Sequence, residues 1–246
     1  MSISRIALGL TDRLLRAAAA LLAAVVGLYS AYALWDNARV YTAADDVRAD
    51  MLRLKPDHET DGGASFAELR AVNGDVRAWL TLDGTAIDYP VLQGTDNMTY
   101  LNRDVYGRFA LAGSIFLDVD CDADFSGRYS LLYGHHMADG TMFASISGYK
   151  QQWYYDAHPS FYLYTNEGTY RVDLFAGLIV PGEHEVFNTS FSDETLSRFI
   201  SQSTFNAGRG VPTGRIVGMC TCSYEADNYR FVVLGEMTLL TEGNEP

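Results

Sequence analysis

Basic residues are in short supply. Lys and Arg number 18 against 31 Asp and Glu, giving a net charge of −13. A surface this acidic repels phosphate backbones, which argues against nucleic acid as a partner. Cysteine is scarce too, with only Cys121, Cys220 and Cys222 among 246 residues. An odd count cannot form a complete set of intrachain disulfides. Cys220 and Cys222 lie two apart, so in a strand they share a face with Cα atoms about 6.5–7 Å apart, at or beyond disulfide reach. At least one thiol is therefore free. Internal repeats are missing, and so is low complexity outside an Ala-rich N-terminal run. Two adjacent histidines and a C-x-C pair lack the usual spacing of a tetrahedral metal site, so no metal is expected.

Charge is also missing from 17–35. Nineteen helical residues span about 28 Å, close to a bilayer core. Arg5, Arg13 and Arg16 precede the stretch, which by the positive-inside rule keeps the N-terminus in the cytoplasm and places the body outside. The division expected is a cytoplasmic N-terminus at 1–16, a single-pass membrane anchor at 17–35, an extracellular stalk at 36–64 and a folded domain at 65–246. The alternative is a cleaved signal peptide, for which A-Y-A at 31–33 offers small residues. Either way the domain is exported, and a free thiol there needs a reason.

What is present leans towards β structure: 16 Tyr, 12 Phe and 22 Gly. The stalk carries a helical spacing in Val47, Met51 and Leu54. Phe66, Leu69, Val72, Val76 and Trp79 recur at three and four, which predicts a helical face that Asn73-Gly74 breaks into two pieces. Asp83-Gly84 between W-L-T-L and T-A-I-D-Y-P-V-L predicts a hairpin. Strands are expected near 114–119, 128–134, 160–165, 169–180, 215–222 and 229–240. A helix is expected at 193–206, with Ser192 as its cap. Many short strands and few helices predict a closed barrel or a sandwich, and periodicity does not choose between them.

Cys222 closes the strand R-I-V-G-M-C-T-C (215–222) and Arg230 opens the return strand after S-Y-E-A-D-N. A hairpin sets the two side by side, and a guanidinium beside a thiol favours the thiolate and can hold an oxyanion. The hairpin alone leaves open a buried structural cysteine and a surface arginine. Cys220, inside the strand, suits packing. Cys121 sits in an acidic loop, D-V-D-C-D-A-D, where carboxylates oppose a thiolate. Of five histidines, His135 and His136 follow the strand S-L-L-Y-G and are presented at its end. His184, between Glu183 and Glu185, reads as a solvated loop residue.

Together, G-S-I-F-L-D (113–118), L-L-Y-G-H-H-M-A-D-G-T-M-F (131–143) and T-C-S-Y-E-A-D-N-Y-R-F-V-V-L-G (221–235) resemble the sortases, class B most closely. W-L-T-L-D-G-T-A-I-D-Y-P-V-L-Q (79–93) and D-N-M-T-Y-L (96–101) are similar to the family as well. The resemblance covers about residues 65–240. It implies an eight-stranded β-barrel with N-terminal helices and a helix between the sixth and seventh strands. It implies a cysteine transpeptidase that needs no cofactor, with Cys222 as nucleophile, His135 as acid/base and Arg230 as clamp. Asn97, Tyr133, Thr221 and Cys220 then fall at the substrate groove. The partners implied are the sorting-motif peptide of an exported protein and an amine acceptor, either a peptidoglycan precursor or a pilin lysine. One departure stands out: relatives usually read L-S-T-C where this chain reads M-C-T-C, and a thiol is a poorer hydrogen-bond partner than the serine it replaces. Rival readings are a pilin-polymerising sortase, an exported cysteine peptidase using water, and a non-enzymatic scaffold.

Overall fold

The computed structural model describes residues 3–56, 63–223 and 225–241. The end of the expected stalk (57–62, with His58), Tyr224 in the turn after the cysteine strand, and 242–246 lie outside the described residues.

Two compact units make up the chain, one ending at Ala43 and the other beginning at Ala44. Helix α1 runs Ile3–Leu52. Among the described residues it is the one helix long and apolar enough to cross a membrane, with an 18-residue window of mean hydropathy 1.9, none of it buried. From Ala44 on, the same helix belongs to the second unit, where Met51 is buried in an apolar cluster and Val47 packs against it.

The second unit is a closed eight-stranded barrel in the order β1-β2-β3-β4-β7-β8-β6-β5. Strands β1 (Val76–Thr81) and β2 (Asp88–Leu92) form the antiparallel hairpin that Asp83-Gly84 announces. Strand β3 (Ile115–Leu117) joins β2 in parallel and β4 (Tyr129–Tyr133) in antiparallel fashion. Strands β5 (Ser160–Thr165) and β6 (Gly168–Pro181) form a second hairpin, and β1 pairs with β5 to close the ring. The last two strands are β7 (Ile216–Cys222) and β8 (Tyr229–Leu239). Closure leaves no unpaired strand edge in the ring. The helix between β6 and β7 is α4 (Asp193–Ser201), capped by Ser192, whose hydroxyl accepts from the Thr195 N–H. It ends five residues short of the expected 206 because Ser203 and Thr204 turn back to bond Gly177.

One expectation is corrected. Helix α2 (Gly63–Val72) stops at Asn73-Gly74, and Val76 and Trp79 lie in β1, not in a second helical piece. The misleading spacing has a cause. Pairing of β1 with β2 shifts between Val76 and Ala78, a bulge that inserts Arg77. The extra residue places Val76 and Trp79, three apart, on one outer face. There they pack with Phe66, Leu69 and Met51 in a single cluster. Ala78 and Leu80 point the other way, into the barrel core with Val91, Leu131, Met219 and Val233.

A short helix, α3 (Gln152–Ala157), has no counterpart in the sequence reading. Its six residues are too few to show a periodicity.

Candidate active site

Parallel pairing of β4 with β7 sets Tyr133 opposite Cys220, so both strands end at one mouth of the barrel. Antiparallel pairing of β7 with β8 sets Cys222 opposite Arg230. Beyond β4 the chain continues through Gly134 to His135. Gly134 is required here. A Cβ at this position would meet Ile115 Cδ1 at 2.5 Å and the Phe143 ring at 2.7 Å. Its N–H donates to the Cys220 carbonyl at 3.1 Å, and its carbonyl accepts from Thr221 Oγ1 at 2.8 Å. These bonds tie the histidine-bearing segment to the strand that carries the cysteines.

A cavity of about 380 Å³ opens at this mouth. Its walls bring together Cys222, His135, Arg230, Asn97, Tyr133, Cys220 and Thr221, all seven residues singled out from the sequence. Leu101, Phe116, Phe187 and Asn228 line it as well, together with Gly134 and Gly182, and no sequence expectation names them as site residues. Asn228 has a positive φ of 59°, a conformation Asn tolerates better than most residues, so the D-N pair of the turn was the available signal.

His135 Nε2 lies 2.8 Å from the Leu101 carbonyl oxygen. A carbonyl only accepts, so Nε2 carries the proton and Nδ1 is the nitrogen left for proton exchange. His136 turns elsewhere, with Nδ1 3.2 Å from Ser147 Oγ. Burial and then Lys150 push its pKa below the ordinary histidine value, keeping it neutral. His184 is not a solvated loop residue: half-buried, it caps the 3-10 turn Glu185–Phe187, its Nδ1 accepting from Val186 N–H at 3.1 Å.

The three thiols differ sharply. Cys121 is buried and its pKa is pushed up to about 11, first by burial and then by Asp118, Asp120 and Asp122. The acidic loop thus acts in the expected direction but as the smaller cause. Cys220 is buried in the barrel core and pushed up to about 12 by burial, against the opposing pull of Arg230. Cys222 alone is partly exposed. Among the described residues the Arg230 side chain makes one hydrogen bond, from Nη1 to the Tyr229 carbonyl at 3.1 Å, which leaves other guanidinium donors to face the cavity.

Asn97 and Tyr133 meet on Asp118, a residue no sequence signal marks as part of the site. Asp118 Oδ2 accepts from Asn97 Nδ2 and from the Tyr133 hydroxyl, each at 2.9 Å. Burial and the Asp118 carboxylate hold the Tyr133 phenol well above its ordinary pKa, so it stays protonated.

No family model matches the chain. It is 31% identical over 214 residues to sortase B of Listeria monocytogenes, covering 83% of this chain and 87% of that protein. The chain belongs to the sortase B family. Sortases are cell-wall sorting cysteine transpeptidases. The crystal structure of Staphylococcus aureus sortase B superposes with a TM-score of 0.71 at 27% identity, covering 83% of this chain and 99% of that one. A Streptococcus pyogenes class B sortase involved in pilus biogenesis superposes with a TM-score of 0.64 at 33% identity, covering 72% and 99%. Within this family fold, the buried thiol of Cys220 stands where the family resemblance leads one to expect a serine.

Proposed function

We propose that the protein is a membrane-anchored class B sortase that cleaves a sorting motif near the C-terminus of exported proteins and joins the new end to an amine of the cell wall. The observation that carries this reading is the convergence of Cys222, His135 and Arg230 on one cavity, with Cys222 and Arg230 paired across the hairpin.

Cys222, as thiolate, attacks the scissile carbonyl. Arg230 and backbone N–H groups stabilise the oxyanion that develops. His135, as imidazolium, keeps its Nε2–H on Leu101 and delivers the Nδ1 proton to the leaving amine. A thioacyl-enzyme remains, and the acceptor amine displaces it while His135 takes back a proton. Asn97, Tyr133, Thr221 and Cys220 line the peptide's groove. Helix α1 holds the enzyme in the membrane through residues 17–35, N-terminus inside, with the catalytic unit outside. Both substrate and lipid-linked acceptor sit at the membrane, so tethering raises their effective concentration.

The likeness to a class B sortase involved in pilus biogenesis favours one second reading, in which the acceptor is a pilin lysine. Incubating the protein with a sorting-motif peptide, with and without an oligoglycine or a lysine-bearing acceptor, separates the readings. Amine-linked product is expected. Hydrolysis alone, at every acceptor concentration, would make the protein a peptidase.

A further inference from the structure

Asp118 lies just past the end of β3, 8% exposed, and its backbone is fully used. Its N–H donates to the Leu131 carbonyl at 2.8 Å and its carbonyl accepts from Gln93 Nε2 at 3.0 Å. The side chain is equally committed. Oδ1 accepts from the Asp120 N–H at 2.9 Å, and Oδ2 accepts from both Asn97 and Tyr133. Asn97 is held from its other side too, its Oδ1 accepting from the Val119 N–H at 2.9 Å.

This network fixes hydrogen-bond polarity as well as position. An ionised carboxylate only accepts. The Tyr133 hydroxyl has one proton, and that proton is directed at Asp118. What the hydroxyl has left for the cavity is a lone pair. Asn97 has its amide orientation set at both ends, by Val119 on oxygen and Asp118 on nitrogen. Its second Nδ2 hydrogen remains, a donor. These two side chains therefore offer the cavity one acceptor and one donor, and neither can reverse its role without breaking a bond to Asp118.

We propose that Asp118 is a positioning residue for peptide recognition, presetting Tyr133 as acceptor and Asn97 as donor so that the groove selects an amide group, which supplies one N–H and one C=O. The inference rests on the sortase reading of the cavity. Asp118 does not touch the substrate and acts only through its two neighbours. Its loss should raise KM and leave the chemical step nearly unchanged.

The test compares Asp118→Asn with wild type in steady-state cleavage of a sorting-motif peptide. The substitution preserves shape and the backbone bonds but replaces one accepting oxygen with a donor. KM should rise about tenfold, the loss of one well-placed hydrogen bond, with kcat changed less than about twofold. Tyr133→Phe and Asn97→Ala should each raise KM as well. Adding Asp118→Asn to the Asn97→Ala/Tyr133→Phe double variant should raise KM no further, because partners that share a network are not additive. An unchanged KM in Asp118→Asn, or the same increment in the double-variant background, overturns the proposal. Should Asp118→Asn fail to fold, unchanged KM in both Tyr133→Phe and Asn97→Ala would overturn it equally. Failure of the underlying sortase reading looks different: wild-type protein would then form no thioacyl adduct with the peptide at all.

Discussion

Cys222 and Arg230 are direct partners across the β7–β8 hairpin, the last pair in the register before the turn. The relationship is set by backbone pairing, so the guanidinium accompanies the thiol without any long loop to position it. Arg230→Ala and Arg230→Lys should therefore fold normally and fail chemically. Lysine keeps the charge but loses the planar fork of donors. Removal of an oxyanion donor typically costs about 10²–10³ in kcat, and both variants should fall in that range. Steady-state kinetics check it, with a loss confined to KM counting against the oxyanion role.

Thiol chemistry should be selective. Burial holds Cys121 up to about 11 and Cys220 up to about 12, and thiols react as thiolates. Near neutral pH a small alkylating reagent should modify Cys222 alone in the folded protein, and all three cysteines after denaturation. Peptide mapping of the labelled chain decides this. Rapid labelling of Cys220 in the native state would show that its site is open.

Gly134→Ala should lower stability and activity together. The added methyl would fall 2.5 Å from Ile115 Cδ1 and 2.7 Å from the Phe143 ring, closer than any packed carbon. Overpacking of this kind costs about 1–3 kcal/mol. Relief requires moving the segment that carries His135. A thermal melt and a cleavage assay on one preparation test both effects.

The turn after the cysteine strand has its own strap. Lys150 Nζ donates to Ser223 Oγ at 3.1 Å and to Glu225 Oε1 at 2.6 Å, and Ser223 also bonds Glu225. Lys150 first and Ser223 second hold the Glu225 carboxyl down to about 2, from 4.5. A carboxylate depressed on folding stabilises the folded state above its unfolded value and loses that contribution as pH falls through its folded value. The melting temperature of wild type should exceed that of Lys150→Met near neutrality. The gap should shrink as pH falls from about 4.5 to about 2. The contribution is small because Glu225 is largely solvated. A gap that widens on acidification would contradict the assignment.

Local signals in the sequence located much of this architecture. Asp83-Gly84 marks the β1–β2 hairpin, and Ser192 the start of α4. The β7–β8 register follows from the turn between two strands, so the neighbourhood of residues 222 and 230 is legible without a fold. The arrival of His135 is not. It depends on parallel pairing of β4 with β7 across a separation of 87 residues, which no local pattern encodes. Barrel closure by β1 and β5 is equally non-local and is supplied only by the family resemblance. Val76 and Trp79 carry a helical spacing on a strand because the bulge at Arg77 sets residues three apart on one face. No local pattern marks Asp118, because its role lies in two side chains distant in sequence, Asn97 and Tyr133.

The central claim is that the sulfur of Cys222 carries the peptide. Intact-mass analysis of the full chain, quenched in acid during turnover of a sorting-motif peptide, reads this directly. The result expected is an added mass equal to the acyl fragment, mapped to Cys222, absent in Cys222→Ala and discharged by an acceptor amine. Sustained peptide cleavage by Cys222→Ala, or an adduct mapped to any other residue, would contradict it.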